Sequence, residues 1–315
     1  MPETSFTRLL NIRCPIMAAP MSGHSGGTIA AGVSNAGGLG TFGAHARGGP
    51  DWLREQIQLA RSLTTSPFGV GFITPFLHKG AELFKTVLEE EVPVLIFSFS
   101  DARECIAEAK ARGTLVISQV QSETAADEAV SAGADVLVVQ GNEADGHTGQ
   151  ALLAPLFRSV RAQNPGLPIL VAGGIATSQQ LAAALSDGAD GASVGTVFLA
   201  CKDNPDVIPE RTQRILESTA DDTVYTRVFD RLASLVQGSP AWPDGIAARL
   251  LRNPIVDTWH GRENEMEQHL DTLGPAFREA SSRRDPDGTA VYAGSGVGDI
   301  TVVRTAAEII ESLCP

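Results

Sequence analysis

The stretch that decides the fold runs from Leu167 to Ala200, LPILVAGGIATSQQLAAALSDGADGASVGTVFLA. Pro168–Val171 is a short apolar run that ends in Ala172-Gly173-Gly174, and Thr177-Ser178 offers an N-cap for the amphipathic segment Gln179–Ser186. A second short run, Gly191–Val194, ends in Gly195-Thr196 and feeds the helix-like Val197–Ala200. Paired glycines let the backbone bend sharply and bare its N–H groups. Two such strand ends side by side, each leading into a helix N-terminus, make a phosphate cradle. Strands seven and eight of a (β/α)8 barrel hold a phosphate in this way.

Upstream, the same alternation of strand and helix repeats. Strand-like runs are Pro15–Ala19, Leu39–Gly43, Phe68–Ile73, Val92–Phe99, Leu115–Val120 and Val136–Gln140. Between and after them lie Gly27–Asn35, Asp51–Ser62, Ala81–Glu90, Asp101–Arg112, Ser122–Ala132 and Leu152–Gln163, with helical spacing or caps. Val92–Phe99 is almost wholly apolar, as a strand buried on both faces should be. No two-residue hairpin signal occurs, so the strands read as parallel. The pattern predicts an α/β fold, a (β/α)8 TIM barrel over residues 1–203. An open doubly wound sheet is the competitor. It would want G-x-G-x-x-G after the first strand, where this chain has Ala19-Pro20-Met21-Ser22-Gly23.

The pattern changes after Asp203. Residues 204–290 read as an inserted small helical subdomain covering the barrel mouth, with Thr223–Phe229 strand-like, Pro240–Pro254 loop and short helix, and Glu263–Glu279 mostly helical. Residues 291–315 form a C-terminal segment whose helix, Thr301–Leu313, is expected to pack back on the barrel through Val302, Val303, Ala306, Ile309, Ile310 and Leu313.

Composition bounds the partners. Thirty-two glycines with only 5% aromatics suit a fold of many strand-to-helix turns. A net charge of −13 argues against nucleic acid and anionic membrane. The cysteines, Cys14, Cys105, Cys201 and Cys314, form no C-x-x-C pair, and no His/Cys cluster has metal-ligand spacing, so no metal is expected. A reducing, cytoplasmic setting is the simplest reading. MPETSFTRLLNIRCP lacks the long apolar core of a secretory signal, and no apolar run approaches the roughly 20 residues of a membrane span.

Barrel enzymes work at the carboxyl ends of their strands. Here those ends are Ala19-Pro20-Met21, Gly43, Gly71-Phe72, Ser98 to Ser100, Gln119, Gln140-Gly141, Gly173-Gly174 and Gly195-Thr196. They offer neither the lysine of a Schiff-base aldolase nor the clustered carboxylates of a glycosidase or a metal-dependent lyase. A site so poor in reactive side chains points to a cofactor that brings its own chemistry. The cradle asks for a phosphate and the rest for a flat uncharged body, and FMN meets both demands. The clear ionisable group is His147, in QGNEADGHTG (140–149), on the loop after strand six. An imidazole there can take a proton from a carbon acid or donate to an anion. His24, His45 and His78 follow strands one to three and are candidates for the pocket edge, while His260 and His269 read as solvent-facing.

The segments CPIMAAPMSG (14–23), VSNAGGLGTFGA (33–44), QGNEADGHTG, the opening stretch and VYAGSGVGDI (291–300) resemble the nitronate monooxygenase family, formerly called 2-nitropropane dioxygenases. That family is similar to flavin-dependent enoyl reductases and NADH:quinone reductases. The resemblance implies an FMN-dependent barrel that oxidises nitronates or nitroalkanes with dioxygen to carbonyl compounds and nitrite. It implies that Gly173, Gly174, Gly195 and Thr196 hold the FMN phosphate, that Ala19, Pro20 and Met21 lie against the isoalloxazine, and that Gln140 is its strand-end glutamine. His147 matches the family's base or oxyanion partner. Gln119 and Gly141, at the ends of strands five and six, complete the cofactor-binding candidates. A homodimer is compatible with such a barrel. Two alternatives stand beside this reading: an NAD(P)H-dependent flavin reductase of quinone or enoyl substrates, and a flavin-free barrel that isomerises or cleaves a phosphorylated small molecule. Three residues depart from the family pattern. Asp145 replaces the first glycine of E-A-G-G-H, Gly71 stands where many members have Asn, and Ser193 where many have Gln. Asp145 reads either as repelling anionic nitronates or, preferably, as facing solvent.

Overall fold

The computed structural model describes residues 3–45, 48–204 and 208–315. In chain order its strands are β1 (Ile16–Ala18), β2 (Gly40–Gly43), β3 (Phe68–Ile73), β4 (Val94–Ser98), β5 (Leu115–Val120), β6 (Val136–Gln140), β7 (Gly146–Thr148), β8 (Ile169–Ala172), β9 (Gly191–Val194), β10 (Thr223–Thr226) and β11 (Ala247–Leu251). One parallel sheet has the order β1-β9-β8-β6-β5-β4-β3-β2. A parallel bridge between Met17 and Leu39 joins its two ends and closes the expected (β/α)8 barrel.

The barrel strands are apolar on both faces because each is covered on both. Inward, Met17, Leu39, Val94, Ile96, Ile117, Val136, Val138 and Leu170 fill the interior. Outward, residues such as Leu95, Phe97, Val116, Leu137 and Val139 pack in the layer beneath the helices. Ser122 caps its helix by accepting from Ala125 N–H, and Thr177 forms a capping box with Gln180. The helix Ser5–Leu10 is not predicted by the sequence pattern. It sends Phe6 and Leu10 into the interior cluster and bonds through Thr4 Oγ1 to the Asp190 carbonyl, closing the end where the strands begin. Full burial of Phe6 contributes roughly 2 kcal/mol to that closure.

Beyond the barrel the chain builds a second sheet, antiparallel, in the order β10-β11-β7. The strand-like reading of Thr223–Phe229 corresponds to β10, whereas β11 occupies part of the stretch predicted as loop and short helix. Helices Val228–Gln237, Pro254–Trp259 and Leu270–Arg283 cover the new sheet around Val228, Phe229, Leu250, Trp259, Met266 and Phe277. The C-terminal helix is also shorter than predicted, Ala306–Leu313, because the Thr305–Glu308 capping box starts it there. Val302 and Val303 fall before that start and are 48% and 37% exposed, whereas Ala306, Ile309, Ile310 and Leu313 are buried. Among the described residues, no helix is long and apolar enough to cross a membrane.

Candidate active site

A cleft of about 250 Å³ opens at the carboxyl ends of the strands. Its walls include Ala19, Pro20, Met21, Gln119, Gln140, His147, Gly173, Gly174, Gly195 and Thr196. Of the predicted catalytic and cofactor-binding residues only Gly141 is absent from the wall. Its N–H donates to the Ala172 carbonyl at the end of β8 (2.9 Å) and its carbonyl accepts from Thr148 Oγ1 (2.8 Å), so both groups are already engaged within the protein.

Pro20 reaches the floor because β3 gives way to it. A Cβ on Gly71 would lie 2.3 Å from Pro20 Cβ, so a larger residue such as the Asn of the resemblance has no room here. Gln140 is committed to the loop above. Its Nε2 donates to the His147 carbonyl (3.1 Å) while its Oε1 accepts from Gln121 (2.9 Å).

His147 stands on β7, opposite Ala248 of β11. Its Nε2 lies 2.8 Å from Asp230 Oδ1, and the two side chains are only 12% and 19% exposed. Facing a carboxylate, Nε2 carries the proton, and Nδ1 is the ring nitrogen left for the cleft. Trp242 stacks flat on the imidazole, with ring centroids 3.5 Å apart and planes 12° from parallel. Trp242 is itself held edge-on by Phe76 and Phe99. Tyr292 completes this wall. Burial pushes its phenol up to about 12, with the Asp230 carboxylate adding to the effect, so it remains a neutral O–H donor.

None of Asp230, Trp242 and Tyr292 is picked out by the sequence reading. Trp242 carries a signal, a large aromatic set between Pro240 and Pro243 in a loop. Tyr292 lies in VYAGSGVGDI, one of the segments of the resemblance. Asp230 carries none, being one acid in the first turn of an amphipathic helix.

The other histidines divide. His24 lines the cleft and meets Tyr292 edge-on. His45 is off the cleft wall; burial pulls its pKa down, and its Nδ1 accepts from Ile73 N–H at 3.4 Å. The side chain of His78 lies outside the described residues. His260 and His269 are exposed, as predicted.

At the far end of the cleft Gly173 and Gly174 take φ of 135° and 69°, conformations that side chains disfavour. Glu143 and Ala144 press against this bend, and the solvent-facing expectation is wrong for the next residue, Asp145. Its Oδ2 accepts from Thr196 Oγ1 at 2.9 Å, and a Cβ on Gly195 would fall 2.5 and 2.8 Å from its two carboxyl oxygens. Thr196 Oγ1 in turn accepts from Gly294 N–H (3.1 Å), tying three chain segments to one carboxyl group. Burial raises the Asp145 pKa, with the Thr196 hydrogen bond opposing. Ser193 also departs from the family pattern; its Oγ is buried on the cleft wall without a hydrogen-bond partner.

Residues 3–83 and 81–315 match the family model for nitronate monooxygenase. Among solved structures, FabK from Thermotoga maritima is 33% identical, with a TM-score of 0.85 over 99% of this chain and 95% of that one. A nitroalkane oxidase from Streptomyces ansochromogenes is 28% identical, with a TM-score of 0.79 over 98% and 96%. A Mycobacterium tuberculosis protein, (3aS,4S,5R,7aS)-5-hydroxy-7a-methyl-1-oxo-octahydro-1H-indene-4-carboxyl-CoA dehydrogenase, is 32% identical over 259 residues, 81% of this chain and 68% of that protein. A closed barrel with its polar side chains gathered at the strand ends, and relatives of this kind, define an oxidoreductase. The chain belongs to the nitronate monooxygenase family.

Proposed function

We propose that this oxidoreductase converts nitroalkanes and nitronates, with dioxygen, into carbonyl compounds and nitrite, using a flavin held in the cleft, FMN being the form the family implies. The observation that carries the reading is the His147–Asp230 pair set over a cleft whose other strand-end residues are small, neutral or amide. The cleft suits a flavin: Ala19, Pro20 and Met21 line one wall, Ser193 Oγ is a buried polar atom still lacking a partner, and Gly173, Gly174, Gly195 and Thr196 line the far end. These residues would hold the group, which when bound supplies the electron-accepting chemistry that the side chains lack.

The protein's own part is proton handling. Nδ1 of His147 takes the proton from the carbon next to the nitro group, and the electron pair of the broken C–H bond moves into the nitro group to give the nitronate. Asp230 holds Nε2–H and stabilises the positive charge that develops on the ring, and the face of Trp242 adds a cation–π contact. His147→Ala should therefore cut turnover of neutral nitroalkanes far more than turnover of preformed nitronates. Equal losses on both would count against the base role. Absorbance and extraction of the purified protein test the flavin itself.

The likeness to a carboxyl-CoA dehydrogenase favours a second reading, NAD(P)H-dependent reduction of an enoyl or quinone substrate. Anaerobic mixing with NADH separates the two, since rapid flavin bleaching belongs to the reductase. Four free cysteines agree with a cytoplasmic setting.

A further inference from the structure

The far end of the cleft is lined by glycine bends, yet it already contains an anion-forming group of the chain itself. Both oxygens of Asp145 lie against Gly195, and one accepts from Thr196 Oγ1 at 2.9 Å. Among the described residues no Lys, Arg or His forms an ion pair with it, so only neutral hydrogen-bond donors such as Thr196 Oγ1 offset its charge. The backbone leaves the carboxyl little freedom to withdraw. A Cβ on Gly294 would lie 3.0 Å from Asp145 N, and one on Gly173 3.0 Å from Ala144 N, so the loop is pressed between two neighbouring segments. A phosphate entering these bends meets a like charge in a poorly hydrated place, where such contacts are felt strongly.

We propose that Asp145 is a tethered anion standing in the phosphate position, so that the protein holds FMN no more tightly than riboflavin, which has the same ring system and no phosphate. The proposal rests on the reading that the cleft takes a flavin. It makes Asp145 the residue that decides which flavin is held.

The test is a ratio. Wild type, Asp145→Gly and Asp145→Asn are each titrated with FMN and with riboflavin, following flavin fluorescence, at one pH and salt concentration. In wild type the two ligands should bind with affinities within about threefold of each other. In Asp145→Gly the preference for FMN over riboflavin should rise roughly a hundredfold, the order expected for removing one like-charge contact. Asp145→Asn keeps the size of the side chain and removes its charge, so it should recover a large share of that gain; it also carries the test if the glycine variant does not fold. The ratio cancels any general loss of ligand-binding protein. An unchanged ratio in both variants overturns the proposal. A ratio that falls also overturns it, since the carboxyl would then be a donor to phosphate and not its rival. If no variant binds either flavin, the flavin reading itself fails and the role of Asp145 falls with it.

Discussion

Replacing Asp230 by Asn removes a charge from the site and leaves a side chain of nearly the same shape. Asp230 Oδ1 and His147 Nε2 are 2.8 Å apart, and neither side chain is more than one-fifth exposed. Opposite unit charges centred about 4 Å apart attract by about 4 kcal/mol at an effective dielectric near 20. Residual solvent access lowers that figure, and hydrogen bonds to charged groups are worth about 1.5–3 kcal/mol net. A loss of about 2–3 kcal/mol follows, felt when His147 becomes positively charged, and it corresponds to about 30- to 150-fold in rate. The assay compares kcat/KM for a neutral nitroalkane, whose carbon must lose a proton, with kcat/KM for its preformed nitronate. Asp230→Asn should lose 30- to 150-fold on the first and less than threefold on the second. Equal losses on both substrates, or none on either, would refute the reasoning.

Trp242→Ala removes the ring stacked 3.5 Å from the imidazole and should lower nitroalkane turnover about 3- to 10-fold, consistent with a contact worth about 0.5–1.5 kcal/mol; unchanged kinetics would assign Trp242 to packing alone. Gly71→Ala places a methyl group 2.3 Å from Pro20 Cβ and should destabilise the fold by about 1–3 kcal/mol in denaturant titrations. Adding Pro20→Gly, which removes the clashing Cβ, should restore most of that loss, and strict additivity of the two substitutions would contradict the proposed contact. Burial raises the Asp145 pKa, so the folded chain binds more protons than the unfolded one above about pH 4. Wild-type stability should thus fall as pH rises from there through the raised value. Asp145→Asn should remove that slope and gain on wild type as pH increases; a difference independent of pH would exclude the linkage.

The barrel is legible in the sequence because its strands are covered on both sides. Runs such as Val94–Ser98 and Val136–Gln140 have to be apolar throughout, and glycine bends mark where the chain leaves the sheet. Ser122 and Thr177 announce helix starts by a mechanism that needs no tertiary partner. The second sheet gives no such sign. Gly146-His147-Thr148 is a strand only because β11 pairs with it from a hundred residues away. Ala247–Leu251, AARLL, is built from good helix formers, and tertiary pairing overrides that preference. The site divides in the same way. Residues at strand ends can be inferred from the barrel pattern, whereas Asp230 and Trp242 owe their places to packing of the excursion. Asp145 was visible as an acid in a glycine-rich loop, but its direction depends on Gly195 and Thr196, fifty residues further on.

The order of these parts along the chain has a consequence for biosynthesis. The last barrel strand ends at Val194, whereas Asp230, Trp242, Ala248 and Tyr292 follow it. Translation runs from the N-terminus, so a nascent chain exposes every stave of its barrel while His147 still lacks its neighbours. On the proposed mechanism the proton-handling group is therefore assembled only after every barrel strand has left the ribosome, and a chain interrupted between residues 194 and 230 would lack it.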